Sequence, residues 1–286
     1  MKKLLLFFIF TFFCQSTLYT KEQTIIINAF YGGDIDKVNY KDAKTAMDIW
    51  IKKLANKVGV SSKLLFYTDF SLLKQDIKDQ KIDALILSPY SYLHHLQFCK
   101  KYFYQGWMKQ EKDGKPFYKY VLLSKKNIDD SKDEYMLHYY KYSKISKIIA
   151  QTYSWEHQKK FIFQQTATES KPVLNLFFGK CDYAIVKEKT WYLMQELNPQ
   201  LSQTLQTVYT SPRIFQDLIA LFSKHLNQKD RDAYYKAITS LTTTPAGKQL
   251  MKLFKFNGLI YFKKDQLYPL EQYYKHYLQL KERYAQ

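Results

Sequence analysis

The stretch KIDALILSPYSYL, residues 81–93, recurs later in the chain as KCDYAIVKEKTWYL, residues 180–193. In both copies a lysine and an aspartate precede an apolar run, and a hydroxyl residue, Ser91 or Thr190, opens a helical pattern. Each copy therefore predicts a buried strand that leads into a helix. Because ligands bind where helix N-termini face the carboxyl ends of strands, two copies favour two lobes around a small ligand. The alternative is that two buried strands share a few residues by chance.

The composition supports a globular protein with an export signal. The chain has 286 residues, of which 46% are hydrophobic, so it can bury a large core as one domain or as two lobes. Met1 and two lysines precede an apolar run at residues 4–14, which predicts a signal peptide over residues 1–20. This run is shorter than the ~20 residues of a transmembrane helix. A lipid anchor at Cys14 is not expected, because Phe13 stands where a small residue normally precedes the modified cysteine.

The net charge of +18 raises the question of an anionic partner. The arginines are Arg213, Arg231 and Arg283, and the remaining cationic residues are lysines. Specific nucleic-acid recognition depends heavily on arginine, so we expect no nucleic-acid partner and a dispersed lysine surface. Attraction of the lysines to an anionic membrane surface or to an anionic partner is the alternative.

No motif of catalysis or metal binding is present. The sequence contains no GxSxG, CxxC, HExxH or P-loop pattern, and the adjacent His94 and His95 point different ways on a helix. We therefore predict no enzyme activity, no cofactor and no metal. Cys99 and Cys181 are expected as buried free thiols, although an exported protein could also pair them. Asp83 and Asp182 precede their strands and are expected to be turn or cap residues at the amino ends.

Strand and helix patterns alternate along the chain, which favours α/β sheets with parallel strands. Strands are predicted at residues 24–30, 63–67, 84–87, 117–124, 145–151, 183–187, 205–209 and 218–223. Helices are predicted at residues 42–58, 72–78, 89–99, 170–178, 228–241, 245–254 and 269–283. Ser88 and Pro89 form a helix-start signal, residues 161–168 fit either strand or loop, and the polar residues 125–135 are predicted to be a connection.

Six segments in this order resemble the periplasmic substrate-binding proteins of phosphate, phosphite and phosphonate ABC transporters, part of the type 2 periplasmic binding-protein superfamily. The segments are residues 24–50, 81–93, 118–126, 179–201, 208–222 and 242–251. The resemblance implies an α/β fold of two lobes, each with a mainly parallel sheet flanked by helices, joined by two crossing strands. It implies a first lobe of residues 21–116 and 212–286 and a second lobe of residues 117–211.

By position, the resemblance also implies a set of ligand-binding residues in the cleft. They are Tyr31, Gly32, Thr68, Ser88, Tyr90, Ser91, Tyr118, Thr152, Ser154 and Arg213. Ser88 is expected to cap a helix in any case, which is compatible with binding. Arg213 is a fixed cation by the hinge in this arrangement, and a surface salt bridge is its alternative.

One departure from the family concerns the second lobe. Phosphonate-binding relatives carry a loop rich in serine and glycine after the first strand of that lobe, and the stretch assigned to it here, residues 151–156, has no glycine. This difference leaves room for a larger, aromatic or organic ligand. The resemblance implies a periplasmic, monomeric protein that captures a small anionic ligand, phosphonate-like or phosphate-like, for an ABC permease. The alternative is a sensory binding protein that signals to a membrane kinase or chemoreceptor.

Overall fold

The computed structural model of the chain describes residues 25–33, 61–111, 117–141, 143–215, 218–240, 258–262 and 267–284. It also describes single positions between residues 44 and 56 and between residues 243 and 252. The predicted signal peptide with Cys14, most of the predicted helices 42–58 and 245–254, and the loop 112–116 lie outside the described residues.

The described strands and helices include most of those that the sequence predicts. The strands are β1 (Ile25–Tyr31), β2 (Ser61–Tyr67), β3 (Ala84–Leu87), β4 (Phe103–Glu111), β5 (Phe117–Tyr118), β6 (Tyr120–Lys125), β7 (Tyr135–Tyr140), β8 (Phe161–Thr166), β9 (Tyr183–Lys187), β10 (Leu205–Thr210), β11 (Ile214–Phe215), β12 (Ile219–Ser223) and β13 (Gly258–Phe262). The helices are α1 (Phe70–Lys78), α2 (Pro89–His94), α3 (Leu96–Tyr102), α4 (Lys144–Glu156), α5 (Lys171–Phe177), α6 (Glu188–Leu197), α7 (Gln200–Thr204), α8 (Gln228–Ser240) and α9 (Tyr268–Tyr284).

These strands form two mixed sheets that define the two lobes. The sheet of the first lobe has the order β13-β4-β12-β3-β1-β2, and that of the second has the order β10-β6-β9-β7-β8. Within each sheet three successive strands, β1 to β3 or β7 to β9, pair in parallel. The strands that follow on the other side pair antiparallel, so the parallel character predicted for the sheets holds for one half of each. The two-lobed α/β architecture is confirmed.

The repeated sequence unit occupies equivalent places in the two sheets. In each sheet the strand of the repeated unit, β3 or β9, lies between a parallel neighbour, β1 or β7, and an antiparallel neighbour, β12 or β6. Asp83 accepts a hydrogen bond at Oδ2 from the backbone N–H of Ile27 at 2.7 Å, and Asp182 accepts one at Oδ2 from Met136 at 2.8 Å. Each aspartate thus fastens the start of its strand to the neighbouring strand, a more specific role than the turn or cap that we expected.

Burial in the core explains why the strands of the repeated unit are continuous apolar runs in the sequence. All four residues of β3 are buried, because helices or neighbouring chain cover both faces of the sheet. Leu85 in the first sheet and Leu137 in the second belong to one cluster of buried side chains, which also contains Phe215 from the segment between the lobes. The hydrophobic core is therefore continuous between the lobes.

The last described helix, α9, contacts helices that flank both sheets. The Tyr277 ring of α9 stacks on Trp155 of α4 with the ring centroids 5.5 Å apart. The Tyr274 hydroxyl lies 3.3 Å from Nδ1 of His94 in α2. The C-terminal helix therefore spans from one lobe to the other. None of the described helices combines the length and the apolar composition needed to cross a bilayer.

Three sequence-based assignments change in the structure. Residues 145–151, predicted as a strand, lie in helix α4, and the parallel strand before that helix is β7, which begins at Tyr135, the last residue of the predicted polar connection. The aromatic segment after Tyr102 and the segment that begins at Gly258 are strands, β4 and β13. The predicted helix 89–99 is broken at His95 into α2 and α3. Cys99 and Cys181 are both buried and free, as predicted.

Candidate functional site

The site is built where the parallel strands of the first lobe end. β1 ends at Tyr31, β2 at Tyr67 and β3 at Leu87, and these carboxyl ends share one edge because the three strands are parallel. Helix α1 begins directly after β2, and α2 begins directly after β3. This arrangement brings two helix starts and the turn after Tyr31 to the same edge.

Side chains cap the helices at these starts. Asp69 accepts the backbone N–H of Ser71 at 2.8 Å, and Ser88 accepts the backbone N–H of Ser91 at 3.0 Å. Pro89 takes the first position of α2, where its missing N–H costs nothing. The predicted cap role of Ser88 is therefore confirmed.

In the second lobe, α4 begins after β7 in the same way. Ser143 is its N-cap and accepts the N–H of Ser146 at 3.4 Å. The Ser143 hydroxyl also lies 3.0 Å from the hydroxyl of Tyr120 in β6. The start of α4 is thus fixed against the neighbouring strand, and Lys144 is its first helical residue.

A cavity of about 420 Å³ lies at this edge and is lined from both lobes. The lining residues are Tyr31, Thr68, Asp69, Phe70, Tyr90, Ser91, His94, His95 and Lys144. Lys144 is the contribution of the second lobe. Its ammonium nitrogen lies 5.1 Å from the centroid of the Tyr90 ring, so a cation–π contact crosses the cleft.

The aromatic side chains around the cavity hold one another in place. The rings of Phe70 and His95 are stacked with their centroids 3.3 Å apart and their planes 5° apart. The Tyr31 ring meets the Phe70 ring edge-on at 5.3 Å. The Tyr90 ring lies nearly parallel to the His94 ring at 5.9 Å. These mutual contacts fix the orientation of the rings before any ligand arrives.

Of the residues predicted to contact the ligand, four line the cavity: Tyr31, Thr68, Tyr90 and Ser91. Gly32 is buried in the turn behind it, where its N–H donates to the carbonyl of Tyr67 at 2.9 Å. The remaining five predicted residues do not line this cavity.

Two of these five lie at the segments that cross between the lobes. Tyr118 is a half-buried residue of β5, which pairs with β11, and the Lys187 ammonium lies 5.5 Å from its ring centroid. Arg213 is exposed and directly precedes β11. Both residues are therefore near the crossing, as the sequence predicts, but outside the cavity.

Thr152 and Ser154 require a correction, because they lie within helix α4 and not in a loop at the ligand edge. The Thr152 hydroxyl donates to the carbonyl of Ile148 at 2.9 Å, and the Ser154 hydroxyl donates to the carbonyl of Lys159. Both side chains are buried. β7 ends at Tyr140 and α4 begins at Lys144, so residues 151–156 are not the stretch that follows this strand.

Sequence reasoning missed Phe70, His94, His95 and Lys144 as cavity residues. Phe70 lies two residues before the predicted helix 72–78, and His94 and His95 lie in the predicted helix 89–99, so their proximity to the cleft could have been found. Lys144 could have been found through Ser143, because Ser143 precedes apolar residues at helical spacing, which is a helix-start signal.

Ser223, His225 and Asp83 contact one another in the order serine, histidine, aspartate, the order of a hydrolase catalytic triad. The Ser223 hydroxyl lies 2.6 Å from Nδ1 of His225, and Nε2 of His225 lies 2.9 Å from Oδ1 of Asp83. Ser223 is buried, and the group lies at the amino end of β3, at the opposite edge from the cavity. The other oxygen of Asp83 holds Ile27, so the chain fastens strands together. Among the described residues, no group of side chains has the makeup of a metal site.

Two sheets with equivalent strand orders, crossing segments between them, and a cavity lined from both define the class of two-lobed periplasmic binding proteins. A family profile described as "ABC transporter, phosphonate, periplasmic substrate-binding protein" matches residues 37–268. This match covers most of the chain, and the protein belongs to that family. No curated protein sequence matches the chain.

Solved structures share the fold at low sequence identity. A Xanthomonas citri protein bound to ATP is 7% identical with a TM-score of 0.63, covering 91% of this chain and 99% of its own. A binding protein component of an ABC phosphonate transporter from Pseudomonas aeruginosa is 13% identical with a TM-score of 0.57, covering 91% and 88%. A Prochlorococcus marinus protein in complex with methylphosphonate is 12% identical with a TM-score of 0.56, covering 88% and 97%. The resemblance inferred from the sequence is confirmed.

Proposed function

We propose that this protein is the exported solute-binding component of an ABC transporter and that it captures a small oxyanionic ligand, phosphonate-like or phosphate-like, between its lobes. The family supplies the general role of a periplasmic substrate-binding protein. The observation that carries the ligand proposal is the cavity of about 420 Å³, which lies at the carboxyl ends of parallel strands and receives Lys144 from the opposite lobe.

The polar groups of the cavity suit an oxyanion. Lys144 supplies a positive charge, and Thr68, Ser91 and the tyrosines supply hydroxyl donors. Lys144 also stands at the first position of α4, where the helix dipole is positive. An oxyanion held by the first lobe would therefore attract the second lobe through this end of α4.

Closure of the lobes is part of the proposal. The small sheet of β5 and β11 lies in the two chain segments that join the lobes, so these segments would serve as the hinge. Lys144 already crosses the cleft to the Tyr90 ring, and such an exposed contact contributes only about 0.5–1 kcal/mol. An anionic ligand would add a charge-assisted contact to the same lysine and so favour the closed form.

The proposal includes a monomer that delivers its ligand to a membrane permease, with residues 1–20 removed on export. The lobe boundaries predicted from the sequence, 21–116 with 212–286 and 117–211, belong to the same proposal. The methylphosphonate and ATP complexes of similar folds support it in one respect: this architecture accommodates phosphorus oxyanions of very different size.

Titration calorimetry of residues 21–286 with inorganic phosphate, phosphite and methylphosphonate tests the ligand class. Binding should also raise thermal stability, by about 2.7 kcal/mol at a hundredfold excess over the dissociation constant. Lys144→Met should weaken binding by roughly 10- to 150-fold, since it removes a charge-assisted contact of about 1.5–3 kcal/mol. Lys147→Met is the matched control, because Lys147 is an exposed lysine of the same helix that does not line the cavity.

Two results would count against the proposal. Equal losses of affinity in the Lys144 and Lys147 variants would remove Lys144 from the site. A deletion of the gene that leaves uptake of a bound oxyanion unchanged would argue against a transport role and for the sensory alternative.

A further inference from the structure

Aromatic rings form much of the cavity wall in the first lobe. Tyr31, Phe70, Tyr90 and His95 all line the cavity, together with His94. An oxyanion needs hydrogen-bond donors and positive charge, and the ring of a phenylalanine offers neither. These rings therefore indicate a second, apolar part of the ligand.

The stacked pair of Phe70 and His95 is the most specific feature of this wall. The two rings are almost parallel and 3.3 Å apart between centroids, and Tyr31 braces Phe70 from its edge. Because both rings of the pair also line the cavity, a planar group can pack against a surface that is already ordered. Such preorganisation lowers the entropy lost when a ligand binds.

The volume of the cavity also indicates a ligand larger than a bare oxyanion. Its volume of about 420 Å³ lies within the range of roughly 300–1,000 Å³ that is typical of sites for drug-sized ligands. Phosphate or methylphosphonate would fill only a fraction of it. The remaining space adjoins the aromatic wall.

Asp69 is a negatively charged hydrogen-bond acceptor in the cavity wall, and it favours a ligand that carries a hydrogen-bond donor, which a bare oxyanion lacks. Hydrogen bonds from the Ser71 hydroxyl and backbone N–H keep the pKa of Asp69 below its ordinary value, so the carboxylate is charged at neutral pH. It lines the same cavity as Lys144. A ligand that presents an anion to Lys144 and a hydrogen-bond donor to Asp69 would satisfy both groups.

We propose that the ligand carries a planar aromatic or heteroaromatic ring between its anionic group and a donor such as an amino group. The ring packs on the wall formed by Tyr31, Phe70 and His95, the anionic group meets Lys144, and the donor meets Asp69. The inference rests on the function proposed above and deepens it, because it names the class of oxyanion that the cleft selects.

Calorimetric titration of residues 21–286 with three matched probes tests this inference. The probes are methylphosphonate, benzylphosphonate and 4-aminobenzylphosphonate, with inorganic phosphate as the ringless reference. Benzylphosphonate should bind about tenfold tighter than methylphosphonate or better, as expected when an aromatic side chain stacks on a ligand ring. The amino group should tighten binding further.

Two variants test which residues produce these increases in affinity. Phe70→Leu keeps an apolar side chain and removes the ring, so the ratio of the methylphosphonate to the benzylphosphonate dissociation constant should fall severalfold. Asp69→Asn keeps a good helix cap and removes the charge, so the preference for the amino probe should disappear. Phe178→Leu is the control, because Phe178 is 68% exposed and does not line the cavity.

The outcomes separate the inference from the proposed function. If methylphosphonate binds as tightly as benzylphosphonate, oxyanion capture stands and the aromatic ligand class is wrong. The ligand class is also wrong if benzylphosphonate binds more tightly but Phe70→Leu leaves the ratio unchanged. If phosphate and all three phosphonates fail to bind, oxyanion capture itself is overturned, and the inference falls with it.

Discussion

Replacement of Asp182 by alanine should destabilise the second lobe more than its surface position suggests. Asp182 accepts the backbone N–H of Met136 at 2.8 Å, and its other oxygen lies 2.5 Å from the ammonium of Lys132. A hydrogen bond to a charged group contributes about 1.5–3 kcal/mol, whereas an exposed ion pair contributes about 0–1 kcal/mol. The Lys132 side chain is 43% exposed, so the backbone contact should dominate. We expect Asp182→Ala to lower the free energy of unfolding by about 2–3 kcal/mol.

Two further variants separate the contributions of the aspartate. Asp182→Asn keeps an oxygen that can accept from Met136 and loses the charge, so it should cost about 1 kcal/mol. Lys132→Met removes only the ion pair and should cost less than about 1 kcal/mol. Urea denaturation of residues 21–286, followed by circular dichroism, measures all three. Asp83→Ala removes the equivalent contact to Ile27 and should lose a similar amount to Asp182→Ala.

The comparison with Lys132→Met decides whether this reasoning is correct. If Asp182→Ala loses no more stability than Lys132→Met, the contact with the backbone contributes nothing, and Asp182 is only a surface partner of the lysine. If Asp83→Ala is silent while Asp182→Ala is costly, the two copies of the repeated unit are alike in sequence but not in their energetics.

Three other variants test the core and the corrected site. Tyr234→Phe removes the hydroxyl that donates to Oδ1 of the buried Asn28 at 2.8 Å and should cost about 1–2 kcal/mol in thermal or urea unfolding. Burial raises the pKa of Cys99 from 9.0 to about 12, so the unfolded chain releases this proton first and stability should fall as the pH rises from 9 towards 12. The melting temperature of Cys99→Ala should depend less on pH over that interval. Thr152→Val should leave ligand affinity within about twofold, since Thr152 lies inside α4, and a larger loss would restore it to the site.

The fold could be predicted largely from the repeated unit, for a physical reason. A strand that is covered on both faces must be apolar at every position, so β3 and β9 stand out as continuous runs. Ser88 caps the helix after β3 and marks the end of that strand, whereas the helix after β9 begins at Glu188 without a side-chain cap, so Thr190 lies inside it. Strands with tyrosine and histidine among their buried residues, such as β7 with His138, give no such run and were missed.

Helix α4 shows how a local preference can mislead. Its isoleucines are β-branched and favour strands when each is considered alone. Their spacing at Ile145, Ile148 and Ile149 is that of a helix face, and all three are buried on that face. The spacing and the Ser143 cap together outweigh the preference of the single residues. Because this helix was read as a strand, the ligand edge of the second lobe was placed about one helix length too late in the chain.

The cavity residues likewise include some that the sequence could predict and some that depend on tertiary packing. Tyr31, Thr68, Tyr90 and Ser91 follow from knowing where parallel strands end, and this could be read from the sequence. Composition alone does not single out Lys144 among 44 lysines and arginines. The Ser143 cap marks it as the start of a helix, and the packing of the lobes brings it to Tyr90. The stacking of ring on ring is likewise a tertiary property.

Helix α9 contacts the first lobe beside the cavity and also contacts the second lobe. On the second lobe, His276 of α9 lies 2.7 Å from the carboxylate of Glu156 at the end of α4. On the first, its Tyr274 contacts His94, which also lines the cavity. If the proposed closure of the lobes on a ligand occurs, α9 would not keep both sets of contacts unchanged, because they belong to elements on different lobes. The proposed closure would therefore change either the contact of α9 with His94 or its contact with Glu156.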